Sequence, residues 1–116
     1  MNPQPGDIWL ADLGLAAKTR PIVVVSRYDP DPPRALITYV PLTTQYRHSR
    51  YEVVLPKLGF LDQDSIANVQ GIGSIPKARL ERMLGKLSDN VMAKIRGAIS
   101  FALELEVREP KSASES

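Results

Sequence analysis

Arg20-Pro21-Ile22-Val23-Val24-Val25-Ser26 and Val40-Pro41-Leu42-Thr43-Thr44-Gln45 are the segments of this chain whose residues could do chemistry. In each, a hydrophobic run meets polar groups at one end. The first run starts from an arginine, and the second ends in two threonines and a glutamine. A guanidinium is a planar fork of donors that fits two phosphate oxygens, and a hydroxyl can donate to a third. Held on rigid strand ends, such groups grip a phosphate without a metal. Phosphodiester chemistry is the reaction class this pairing suggests. Arg20 is too basic to remove a proton, so its expected part is to stabilise charge on the phosphate and, secondly, to protonate a leaving oxygen. Thr43 is the expected hydroxyl partner, bonding a phosphate oxygen or orienting an attacking group. Each also has a plainer reading: an exposed arginine that opens a strand, and a threonine chosen for strand propensity.

Tyr46-Arg47-His48-Ser49-Arg50 follows directly. An aromatic mixed with two arginines is the composition of surfaces that hold single-stranded nucleic acid. Thr44, Gln45, Arg47, His48 and Arg50, with Lys18 from an earlier loop, are therefore candidate contacts rather than catalysts. His48 is the chain's one histidine. It is the only side chain that ordinarily titrates near neutrality, and it is read either as a general base or as a solvated loop residue. Gly71-Ile72-Gly73 is a weak glycine pair and no dinucleotide fingerprint.

The whole chain bounds these ideas. With 116 residues it is expected to form one domain over 1–105, with 106–116 as a polar tail. Its net charge of +2 permits a nucleic-acid partner without arguing for one. Lys18, Arg20, Arg27, Arg34, Arg47 and Arg50 all fall in the first half, a pattern equally open to a solvated mixed surface. The absence of cysteine excludes disulfides, thiolate metal sites and cysteine nucleophiles. The first residues have neither the basic nor the apolar region of a signal peptide, and no apolar run approaches a membrane span. The expected location is the cytoplasm, with no membrane partner.

The elements that must position the chemistry read as mainly β. Strands are expected over Ile8–Leu13, Ile22–Val25, Ala35–Val40, Tyr51–Leu55 and Asp64–Val69. Asp29-Pro30-Asp31-Pro32-Pro33 is a rigid turn, and the glycines of 70–74 suggest a bulge or bend. Pro76 can open a short helix with Leu80, Met83 and Leu84 on one side. Ser88 or Asp89 caps a longer one. On that helix Val91, Ile95, Ala98, Ile99 and Ala102 recur at helical spacing beside Met92 and Leu103, as core or subunit interface.

Taken in order, Gly6-Asp7-Ile8-Trp9-Leu10-Ala11-Asp12-Leu13, Arg20-Pro21 with its β-branched run, Val40-Pro41-Leu42-Thr43-Thr44-Gln45 and Tyr51-Glu52-Val53-Val54-Leu55 resemble the MazF/PemK (Kid) toxins of bacterial toxin–antitoxin systems. The resemblance spans about Pro5 to Leu105. It implies an α+β fold, mainly β, with an SH3-like antiparallel barrel, a short helix and a C-terminal helix. It implies a homodimer that cuts single-stranded RNA, mostly mRNA, without metal or cofactor, leaving 2′,3′-cyclic phosphate and 5′-hydroxyl ends. It further implies a cognate antitoxin whose disordered acidic tail blocks the RNA groove. Arg20 and Thr43 match the family's catalytic positions. The loop 14–19 is shorter than is usual and lacks a glutamate, and Gly71 and Gly73 stand where relatives often carry Gln and a basic residue. The competing expectations are a non-enzymatic protein-binding toxin like the CcdB gyrase poisons, which share the fold, and an inactive homologue that binds RNA or antitoxin.

Overall fold

Strand β3, Leu36–Thr43, is the longest strand and organises the sheet. On one side it pairs with β2, Arg20–Val24, in the register Ile22↔Pro41, Val23↔Val40 and Val24↔Tyr39. On the other side it has two partners. Leu36–Tyr39 pair with β6, Gly73–Pro76, and Leu42–Thr43 pair with β5, Ile66–Asn68. The change of partner falls around Pro41, which has no N–H to give to a ladder. β1, Asp7–Ala11, lies between β2 and β7, Leu80–Lys86, while β4, Glu52–Val54, pairs with β5. Every pairing is antiparallel, and the path across the seven-stranded sheet is β4-β5-β3-β2-β1-β7, with β6 beside β3. This computed structural model describes residues 2–14, 19–61 and 63–105. Lys18, most of the expected loop 14–19 and the expected tail from 106 onward lie outside them.

The strands bury both faces because alternate residues feed two separate cores. Ile8, Val23, Val40, Leu42, Val53 and Ala67 pack on one side with Met92, Ile95 and Ala98 of α1, Asp89–Leu103. Trp9, Ala11, Ile22, Val24, Ile37, Ile75 and Leu80 form the second core on the other face. This explains why Ile22–Val24 is an unbroken apolar run rather than an alternating one. The side chain of Ser88 caps α1 by accepting the Val91 N–H at 3.3 Å. The expected apolar stripe faces the sheet through Met92, Ile95 and Ala98, while Leu103 at its end is half exposed.

The mainly-β architecture with a C-terminal helix is as expected, but the short helix from Pro76 is not there. Lys77–Arg79 make a single 3-10 turn, and Leu80, Met83 and Leu84 then lie on β7. The physical reason is β1. Its free edge offers a complete ladder, Asp7↔Lys86 to Ala11↔Leu80, and two register shifts accommodate the irregular apolar spacing that imitated a helix. On β7, Gly85 faces the ring of Phe60 so closely that a Cβ there would clash with it. Among the described residues no helix is long and apolar enough to cross a membrane.

Candidate active site

The β2–β3 register is what builds the site. Continued by two residues, the same pairing puts Arg20 opposite Thr43. Arg20 alternates with Ile22 and Val24, and Thr43 with Ile37 and Tyr39, so both occupy the sheet face of the second core. Residues directly opposite on antiparallel strands have Cα atoms roughly 4.5–5.5 Å apart, within reach of one phosphate group. Arg20 is exposed and Thr43 half-buried. By that continued register the two candidate residues fall at the same end of the β2–β3 pair.

Thr43 is oriented by its own backbone. Its Oγ1 accepts the Gln45 N–H at 3.1 Å, which occupies a lone pair and leaves the hydroxyl proton free to donate. Beyond it opens a polar cleft of about 330 Å³, lined by Thr43, Gln45, Arg47, Ser49, Glu52, Asn68 and Gln70. Arg47 reaches across to Gln45, with Nη2 3.4 Å from Oε1. Glu52 closes the far side. Its Oε2 accepts the Arg47 N–H at 3.0 Å, and its Oε1 accepts the N–H and hydroxyl of Ser49 at 3.0 and 2.7 Å. The Ser49 hydroxyl, followed by the Arg47 N–H, holds the Glu52 carboxyl below its ordinary value of 4.5. Asn68, opposite Glu52 on β5, accepts the Gln70 N–H at 3.1 Å through its side chain.

The structure brings Arg20, Thr43, Gln45 and Arg47 to one end of the sheet and sends the other candidates elsewhere. Thr44 alternates to the opposite side, into a second cleft of about 330 Å³ with Pro21, Phe60, Gln63 and Arg82 among its walls. His48 takes a left-handed backbone, φ 57°, and its exposed ring rests on Tyr46 with centroids 4.2 Å apart. It does not line the Thr43 cleft. Arg50 turns to α1, where its guanidinium stands 3.9 Å over the centre of the Phe101 ring. It lines a third cleft of about 520 Å³ with Tyr46, Glu52 and Lys94.

Sequence reading missed Ser49, Glu52, Asn68 and Gln70. For the first two a signal existed. Ser49-x-x-Glu52 is the spacing of a capping box, and the reciprocal bond from Ser49 N–H to the glutamate is made here ahead of a strand. The glycines at 71 and 73 also find a local cause. A Cβ at 71 would lie 2.6 Å from Cγ of Pro41, and one at 73 would lie 3.2 Å from the Tyr39 hydroxyl. Among the described residues no cluster of three His, Cys, Asp or Glu stands ready for a metal ion.

An arginine and an oriented hydroxyl at one ladder end, beside a polar cleft, are groups able to hold a phosphate, and known proteins resemble the chain as a whole. The Probable endoribonuclease MazF5 of Mycobacterium tuberculosis is 31% identical over 103 residues, covering 88% of this chain and 94% of that protein. Endoribonuclease MazF of Staphylococcus saprophyticus is 29% identical over 116 residues, covering 86% and 90%. Among solved structures, a mycobacterial endoribonuclease in complex with its cognate antitoxin superposes with a TM-score of 0.77 at 27% identity, covering 91% of this chain and 99% of that one. The family model for the PemK-like, MazF-like toxins matches residues 4–103. This chain belongs to that family, the PemK-like, MazF-like toxins of type II toxin–antitoxin systems.

Proposed function

We propose that this chain is an endoribonuclease toxin that cuts single-stranded RNA in the cytoplasm, with mRNA as its main substrate, and that a cognate antitoxin holds it in check. The observation that carries the reading is the β2–β3 register, whose continuation past Ile22↔Pro41 sets Arg20 across from Thr43. In the reaction the RNA 2′-oxygen bonds to phosphorus and gives up its proton to a solvent water, while the bond to the 5′-oxygen breaks and that oxygen gains a proton. Arg20 neutralises charge on the phosphate oxygens and stands ready to protonate the 5′-oxygen. Thr43, its lone pair occupied by Gln45, donates its hydroxyl to a non-bridging oxygen. The products are a 2′,3′-cyclic phosphate and a 5′-hydroxyl. Arg47 and Gln45 hold the neighbouring nucleotide, and no metal takes part.

The test is purified protein on a long single-stranded RNA with EDTA present, with the fragment ends mapped. Cleavage with cyclic phosphate ends is expected. Intact RNA, with growth inhibition traced to a bound protein target, would move the chain to the non-enzymatic class. The working form is a homodimer, supported by the exposed Val54 and Leu103 beside α1. Sedimentation at micromolar concentration should show twice the mass of one chain.

A further inference from the structure

Glu52 has no place in the reaction as written, yet the cleft is tied to it. Three donors from one loop end on its carboxylate: the Arg47 N–H, the Ser49 N–H and the Ser49 hydroxyl. From the same loop, Arg47 Nη2 reaches Gln45 Oε1, and the Gln45 N–H reaches Thr43 Oγ1. These bonds join end to end from Glu52 through Arg47 and Gln45 to the Thr43 hydroxyl. All these residues line the one cleft. Between the two clamped amides sits His48 in its left-handed conformation, a backbone state that a side chain rarely adopts unless its surroundings impose it.

From this connectivity we propose that Glu52 is a positioning residue for cleavage: its carboxylate fixes the 45–49 loop, which sets Gln45 against Thr43 and keeps the Thr43 hydroxyl proton aimed at the phosphate. The proposal rests on the nuclease reading above. Glu52 touches no substrate in this scheme. An ionised carboxylate is suited to the task because it accepts only, and three donors converge on it. A glutamine in its place has one acceptor oxygen, and its NH2 would face an N–H and repel it.

The charged and titratable groups that line the two clefts with Glu52 are Arg47 on the loop, Arg50 and Tyr46 beside the neighbouring cleft, and Lys94 on α1. The Ser49 hydroxyl first, then the Arg47 N–H, and last the charge of Arg47, favour its ionised form against the opposing effect of burial and hold the carboxyl below 4.5. The clamp is therefore intact at neutral pH and is lost as pH falls through the lowered value. Turnover should show an acid limb below 4.5 that belongs to Glu52.

The test compares wild type with Glu52→Gln, each checked for folding by circular dichroism. Because small misplacements at a reacting centre cost up to about a hundredfold, kcat of Glu52→Gln should fall by about tenfold to a hundredfold while KM changes by less than about threefold. The acid limb should flatten in the variant. In the free protein, the amide protons of Arg47 and Ser49 should exchange faster. A folded Glu52→Gln variant with wild-type kcat, or one that keeps both the acid limb and the slow amide exchange, overturns the proposal. Failure of wild type to cleave RNA would sink the nuclease reading instead, and amide exchange would still judge the clamp. If Glu52→Gln does not fold, Ser49→Ala removes the hydroxyl donor to Glu52, together with the acceptor of the Tyr51 N–H, and should lower kcat in the same sense; unchanged kcat there counts against the clamp. Asp29→Asn, at the opposite end of β2 and β3, serves as the control and should cleave as wild type does.

Discussion

Arg47 and Arg50 leave the same short loop and meet opposite fates. Arg47 lies along a polar cleft, bonded to Gln45, with its backbone fastened to Glu52. Arg50 lays its guanidinium on the face of Phe101 and becomes part of the packing of α1. The residue between the two clefts is the same, since Glu52 lines both. The contrast teaches that a basic loop is not a basic groove. The sheet leaves one cation along an open polar cleft, and the helix takes the other as a packing element.

The contrast has meaning only if chemistry happens on the Arg47 side, so the largest test is Arg20→Ala. Losing a group that stabilises transition-state charge should slow cleavage by at least about a hundredfold with the fold intact. An unchanged rate in a folded variant would remove Arg20 from the mechanism. Next comes Thr43. Thr43→Ala should lose about tenfold to a hundredfold in kcat, whereas Thr43→Ser, which keeps the hydroxyl, should retain much of it. Equal losses in both would point to packing. Arg47→Ala should then weaken RNA binding across sequences and reduce the salt slope by about one, the signature of a lost phosphate contact. Arg50→Ala sharpens the comparison by doing something else: about 0.5–1 kcal/mol of stability lost with the cation–π contact, and the salt slope left alone. If both arginines lower the salt slope equally, the two sides are one surface and the comparison fails.

The part of the site legible in the sequence was the part built by local order. Arg20 and Thr43 each end a β-branched run, and two neighbouring antiparallel strands bring such ends together with no further information. The strands over Ile8–Leu13 and Ile22–Val25 were likewise readable from their apolar runs. What was not legible depended on distant partners. Nothing near Arg50 announces that Phe101 will lie beneath it. Nothing in Leu80, Met83 and Leu84 announces that β1 will need an edge partner, and their spacing matches a helix as well as a bulged strand. Glu52 lay between these cases. Its spacing from Ser49 is a known pattern, but that pattern ordinarily starts helices, and here it precedes β4. The reasons for Gly71 and Gly73 are steric contacts with Pro41 and Tyr39 across the sheet, invisible until the register is known.

One feature of β1 gives the protein an optical voice. Trp9 is the chain's only tryptophan. Its side chain is nearly buried in the second core, and its indole N–H meets no acceptor among the described residues. An indole in apolar surroundings without a hydrogen bond emits at shorter wavelength than one in water, and a single emitter leaves no ambiguity about the source. Its strand pairs Trp9 with Ile22 and Ala11 with Arg20, so the fluorophore shares a sheet face with the candidate reacting groups. Unfolding can be followed as a colour change from one native atom cluster, with no dye attached.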